Sequence, residues 1–210
     1  MILSKATVKK ATTKELDNFF KDYGYKFNAK AEGFLRYFNG GFNKIGISVV
    51  DYRPKFEVSF YFIIRIDDIE KIIQKFIFVL EQYKEFTWTL NISIDHFGAF
   101  KSHPISDENS IHDLVKEVKD VYSNQVDAFL KKYSQISNLD QALNVDHIKI
   151  ENITNLDDFI RPIIIAKLNN NKDFDKVCEW YYRKYTEEYP LDPDEGPNKI
   201  KEAINYLRTL

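Results

Sequence analysis

The chain has 210 residues, 44% of them hydrophobic and 30% charged, which is enough to bury a core without disulfide staples and excludes a disordered or fibrous class. Thirty Lys and Arg against 32 Asp and Glu leave a formal net charge of -2, so no bulk positive charge is available to neutralise phosphates and a nucleic-acid partner is disfavoured. The single cysteine, Cys178, excludes an internal disulfide framework and any zinc site built on two thiolates.

The first residues carry lysines but no apolar stretch of signal-peptide length, and the longest apolar runs, Phe60 to Ile64 and Phe76 to Leu80, are far short of the roughly 20 residues that span a bilayer. A cytoplasmic protein with no membrane association is expected.

In chain order, Thr12 and Glu15 form a capping-box pattern that predicts a helix starting there, with Leu16, Phe19, Phe20 and Tyr23 at helical spacing and Gly24 as its stop. The period then changes to two. Tyr25 to Lys30, Gly33 to Asn39, Phe42 to Asp51 and Lys55 to Ile66 read as consecutive antiparallel strands, parted by the turn signals Ala31-Glu32, Gly40-Gly41 and Arg53-Pro54. In the last of them Phe56, Val58, Phe60, Phe62, Ile64 and Ile66 share one face, and the other face is mixed.

Asp67 to Leu80 reads as a helix with its apolar stripe on the sheet, and Phe86 to Phe97 as a further strand with Phe86, Trp88, Leu90, Ile92 and Ile94 inward. The small and polar residues from His96 to Asn109 mark the best boundary between a strand-rich and a helix-rich half. From Ser110, with Asp113 as its capping partner, a long amphipathic helix is predicted to Tyr133, then helices over Leu156 to Leu168, Phe174 to Tyr189 and Lys199 to Leu210. Pro190, Pro193, Gly196 and Pro197 predict a loop between the last two.

The chemistry-bearing groups are sparse. His96, His103, His112 and His147 fall at no metal-ligand spacing, so surface or capping roles are expected. Asp192 to Gly196 has the alternating acids of a calcium loop but not its register, which leaves a solvated acidic loop. Gly40-Gly41 lies between strands and reads as a hairpin turn rather than a phosphate cradle. Cys178, Trp180, Tyr181 and Tyr185 sit on one helical stripe and read as core packing, with the thiol buried and structural. No metal site and no cofactor is expected.

Tyr and Arg anchor protein interfaces, so the cluster Asp51, Tyr52, Arg53 and Lys55 at a predicted hairpin end, with Arg36 and Arg65 as neighbours, is the candidate binding site. The bland alternative is that these residues decorate a half-solvated sheet.

The segment Phe20-Lys-Asp-Tyr-Gly-Tyr-Lys-Phe27, then Gly33-Phe-Leu-Arg-Tyr-Phe38, the Asp51-Tyr52-Arg53-Pro54 turn and Phe62-Ile-Ile-Arg-Ile66 resembles an uncharacterised bacterial domain-of-unknown-function family of Bacteroidetes-like bacteria. In that family a helix, an antiparallel meander and C-terminal helices recur. The resemblance implies an immunity-like role, since some small α+β proteins of this sort are immunity partners of toxins, and it carries over no functional residue.

The expected fold is α+β: an antiparallel sheet of about five strands with helices on one face, followed by a helical C-terminal half. The expected lobes are residues 1–104 and 105–210, or one compact domain. The leading functional expectation is a protein-binding or regulatory module with another protein as partner. Its competitors are an enzyme with its site near Asp95 and His96, which is less favoured, and a binder of small apolar ligands.

Overall fold

The fold is that of a computed structural model, which describes residues 4–98, 104–145, 156–188 and 195–210. It is α+β. Its elements are α1 (Lys5–Asp22), β1 (Lys26–Asn28), β2 (Gly33–Phe38), β3 (Gly41–Tyr52), β4 (Lys55–Ile66), α2 (Asp67–Ile73), β5 (Leu90–Ser93), β6 (Pro104–Ile105), α3 (Glu108–Val121), α4 (Asp127–Tyr133), α5 (Ile136–Asp140), α6 (Leu156–Leu168), α7 (Phe174–Glu188) and α8 (Glu195–Thr209). Tight 3-10 turns run over Glu81–Phe86 and Ile94–Phe97, and wide π turns over Tyr122–Val126 and Gln141–Val145.

The chain divides into two compact units, residues 1–65 with 90–132, and residues 66–89 with 133–210. This division cuts across the expected boundary at residue 104, because α3 packs on α1 while α2 packs on α6.

In the first unit the strands run in the order β1-β2-β3-β4-β5, with β1/β2, β2/β3 and β4/β5 antiparallel, and β6 pairs antiparallel with β4 beside β5. Gly40, with φ 86, makes the β2–β3 turn. Gly41 has no room for a side chain, since a Cβ there would lie 1.9 Å from the Arg65 carbonyl oxygen. Phe56, Val58, Phe60, Phe62 and Ile64 are buried as the alternation predicts, and Ile63 and Arg65 on the opposite face are buried too.

Over these strands lie α1, with Val8, Leu16 and Phe20 fully buried, and α3, with Ile111, Leu114, Val115 and Val118 buried. Tyr122, in the π turn after α3, meets the rings of Phe19, Phe20 and Phe62.

Five local expectations are corrected. Helix α1 begins at Lys5 rather than Thr12, because Ser4 caps it by accepting the Thr7 N–H at 3.2 Å and Val8 extends the buried stripe one turn further. Helix α2 stops at Ile73, where the chain tightens.

The strand expected over 86–97 is only Leu90–Ser93, because Leu90 pairs with Ile64 and β4 ends two residues later. Helix α3 is capped by Asp107, with Ser110 as the reciprocal partner rather than the cap. Helix α8 begins at Glu195, so Gly196 and Pro197 lie in its first turn, where proline's missing N–H is tolerated. Pro190, Pro193, His103 and His147 lie outside the described residues.

The second unit is held by a buried ion pair. Glu70 of α2 is fully buried and accepts from Arg161 Nε of α6 at 3.0 Å, while Arg161 also donates to Asp157. The Thr89 hydroxyl donates to Glu70 at 3.1 Å and itself accepts the Ile66 N–H at 2.9 Å.

Candidate functional site

The structure brings together part of the site expected from sequence. Asp51, Tyr52, Arg53 and Lys55 are exposed at the β3–β4 hairpin end, where the Asp51 carboxylate accepts the Arg53 N–H at 3.1 Å and Arg53 Nε at 3.2 Å. Tyr52 is 63% exposed and Val50 beside it 40%. Internal pairing of Asp51 with Arg53 fixes the tip but occupies part of the guanidinium fork that would meet a partner.

Arg36 and Arg65 are not part of that exposed set. Arg65 is buried, and Arg36 donates to Asp127 at 2.8 Å with its guanidinium 4.7 Å from the centre of the Tyr25 ring. Tyr122 donates to the Tyr25 hydroxyl at 3.2 Å, closing a polar network inside the first unit. Burial pushes the Tyr25 phenol up to about 12, against the lowering effect of Arg36 and of the Tyr122 hydrogen bond. Burial would raise the Asp127 carboxyl as well, but Lys131 and Arg36 hold it below the usual range.

Asp95 and His96 sit in the turn after β5 and look to different neighbours. The Ser93 hydroxyl donates to Asp95 at 2.8 Å, and the His96 ring stands edge-on to Phe97 and Phe129. His112 pairs with Glu15 at 3.2 Å on the surface. Among the described residues, no group of three or more His, Cys, Asp or Glu is placed to hold a metal ion. Cys178 is buried, and desolvation pushes its thiol up to about 11.

Sequence reasoning missed a run of exposed apolar side chains. Phe78 is 88% exposed, Tyr83 56%, Leu80 51% and Trp88 43%, all within the chain that links α2 to β5. These residues do not hang from a floppy loop. The side-chain amide of Gln74 donates to the Lys84 carbonyl and to Thr87 Oγ1, both at 2.9 Å, and the Tyr83 N–H donates to the Leu80 carbonyl at 2.8 Å.

The inward side of the same segment is anchored by Phe76, buried against Tyr206 of α8, and by Lys75, whose ammonium donates to the Tyr206 hydroxyl at 2.6 Å. Phe76 and Phe78 thus point the segment's apolar residues both ways. A signal was present in sequence, since Phe76-Ile-Phe-Val-Leu80 is a continuous apolar run too hydrophobic for one helical face.

No family model, curated protein or solved structure matches the chain. Among the described residues no helix is long and apolar enough to cross a membrane.

Proposed function

We propose that this chain is a protein-binding module whose contact surface is the exposed aromatic segment Phe78, Leu80, Tyr83 and Trp88. The observation that carries the reading is that four large apolar side chains stand in solvent on and beside a hydrogen-bonded turn, Leu80 and Tyr83 within its bonded span and Phe78 and Trp88 flanking it. Large exposed apolar patches mark interaction surfaces, aromatic residues dominate their energetics, and these four side chains fall within one short segment. A pre-ordered turn lowers the entropy lost on docking, because few torsions remain to be fixed. The mixed charge around the segment, with Lys84 and Glu81 paired at 2.6 Å, favours a protein surface over an anionic one. The resemblance noted in the sequence supports an immunity-like role as one form of this reading.

The test is retention of partners from host lysate on the tagged full chain, compared with a Phe78→Ser/Tyr83→Ser variant and a Tyr52→Ala/Arg53→Ala variant. A protein held at near-stoichiometric amount by the parent and lost from the first variant supports the reading. Loss from the second variant alone moves the surface to the β3–β4 hairpin. Retention of only substoichiometric proteins by the parent removes the protein-binding reading.

A further inference from the structure

A second feature, independent of the aromatic segment, lies on the sheet of the first unit. Gly33 of β2 stands opposite Gly46 of β3 in the strand register, and Leu35 opposite Lys44, so these four residues share one face of the β2–β3 pair. The two glycines leave a patch of bare backbone there. Neither has room for a side chain, since a Cβ on Gly33 would lie 2.5 Å from the Ile45 carbonyl oxygen and one on Gly46 would lie 1.9 Å from the Tyr61 ring.

This patch is the floor on which Lys44 lies. Its Cε comes within 3.1 Å of where a Gly33 Cβ would stand, so the stem runs across the sheet instead of out into water, and the residue is only 9% exposed. The Tyr61 ring covers the neighbouring glycine, with its centre 5.7 Å from Lys44 Nζ, close to the outer limit of a cation–π contact.

A lysine buried to this extent ordinarily meets an acid. Here the acid is taken. Glu32 acts on Lys44 through its charge, but its carboxylate accepts from Lys9 Nζ at 2.8 Å. Among the described residues the Lys44 ammonium has neither a hydrogen bond nor an ion pair. It is nonetheless open to solvent, because the polar side-chain atoms there that are both buried and without a partner are Thr12 Oγ1 and Asn144 Oδ1.

Burial holds the Lys44 amine below the usual lysine range, while Glu32 opposes that shift and Lys9 adds to it. Burial also raises the Tyr61 phenol, so the ring beside the amine carries no charge at neutral pH. More of this amine is unprotonated at pH 7 than of a solvated lysine, and the unprotonated amine is the form that attacks a carbonyl carbon. Desolvation and a neighbouring cation are the two devices that make a lysine a Schiff-base former, and both are present.

We propose that Lys44 is a covalent capture site for small aldehydes, which it holds as an imine over the Gly33–Gly46 floor beside Tyr61. The ammonium first gives a proton to solvent. Its lone pair then forms a bond to the aldehyde carbon, and the carbonyl oxygen leaves as water with the two remaining amine protons, so that C=N replaces C=O with no oxidation or reduction.

The test treats the full chain with limiting propanal and cyanoborohydride at pH 7, which traps each imine as a propylamine, and then measures every lysine by proteolysis and mass spectrometry. Lys44 should be labelled about fivefold or more faster than the exposed Lys14 and Lys55. Lys9→Gln removes the neighbouring cation and frees Glu32 to pair with Lys44, so labelling of Lys44 should fall about threefold or more while that of Lys55 stays the same. The melting temperature of this variant should stay within about 3 °C of the parent, because a solvated ion pair contributes little. Labelling of Lys44 no faster than of Lys14 and Lys55 in the parent chain, or unaltered in Lys9→Gln, would overturn the proposal.

Discussion

Arg161 of α6 reaches Glu70 of α2 through two contacts, Nε to Oε1 at 3.0 Å and Nη2 to Oε2 at 3.4 Å, in a place where Glu70 has no solvent exposure at all. Burial alone would lower the guanidinium's affinity for its proton, yet the Glu70 and Asp157 carboxylates raise it. The guanidinium thus keeps its proton in the fold, and Thr89 donates to its Glu70 partner. Ninety-one residues separate the partners, so the ion pair ties the short α2 segment to the C-terminal helices.

Removing one member leaves the other buried and unpaired. Arg161→Met is expected to destabilise the second unit by about 3–5 kcal/mol, whereas the double variant Arg161→Met/Glu70→Leu recovers most of that loss, since two apolar groups need no compensating charge. Urea unfolding followed by circular dichroism measures both. A double variant no more stable than the single one would show that the pair is net stabilising and not merely mutually dependent.

The two phenylalanines of the exposed segment separate packing from binding. Phe76→Ala should cost about 3–5 kcal/mol, because it empties a buried site against Tyr206. Phe78→Ala should change stability by less than about 0.5 kcal/mol, because its ring is 88% exposed. Thermal unfolding of the two variants side by side checks this. An equal loss in both would mean that Phe78 packs in solution and is no contact surface.

Much of the first unit was legible in the sequence because its strands carry their own punctuation. Gly40-Gly41 and Arg53-Pro54 stop and reverse the chain, and the alternation from Phe56 to Ile64 states which face is inward. The segment from Phe86 to Trp88 was misread for a reason no local pattern reveals. Its alternation continues that of β5, but the partner strand is gone: Leu90 pairs with Ile64, β4 ends at Ile66, and the Ile66 N–H is taken by the Thr89 side chain. A strand without a neighbour has unsatisfied backbone groups, so the chain leaves the sheet and Trp88 turns to solvent. The hairpin cluster was half legible. Asp51 to Lys55 are neighbours in sequence and stay together, whereas the burial of Arg65 and the pairing of Arg36 with Asp127 across 91 residues depend on tertiary contacts.

The polar network of the first unit makes stability depend on pH at both ends. Asp127 is held below its unfolded value, so its contribution is present above the ordinary carboxylate range and is lost as pH falls through the folded value. Tyr25 and Tyr122 are both raised, chiefly by burial, so their contribution is complete below the unfolded phenol value near 10 and is lost as pH rises above it. Tyr25→Phe should therefore flatten the alkaline limb of a stability–pH curve and leave the acid limb in place, while Asp127→Asn should flatten the acid limb. Denaturant midpoints taken from pH 3 to 11 measure this, and an alkaline limb unchanged in Tyr25→Phe would remove this phenol as its source.

A close approach between β3 and β4 gives a sharper test of packing. A Cβ built on Gly46 would lie 1.9 Å from the ring of Tyr61, so the aromatic side chain lies directly over the glycine backbone. Gly46→Ala forces that ring away and is expected to cost about 1–3 kcal/mol, the usual range for overpacking a filled site. In a Tyr61→Ala background the same substitution meets no ring, and its cost should fall to a few tenths of a kcal/mol. Equal penalties in the two backgrounds would locate the strain in the backbone rather than beneath Tyr61.

The thiol of Cys178 separates a structural cysteine from a reactive one. Burial raises it to about 11, Arg208 opposes that shift and Asp175 adds to it, so at neutral pH it is protonated and shielded from solvent. A thiolate is the reacting species, and access to it here requires opening of α7. Modification by a disulfide reagent should therefore be slow in the native protein and rapid in denaturant, with a native rate that rises as Arg161→Met loosens the unit. Rapid modification of the native chain at pH 7 would mean that Cys178 is exposed in solution and that α7 does not hold the position described.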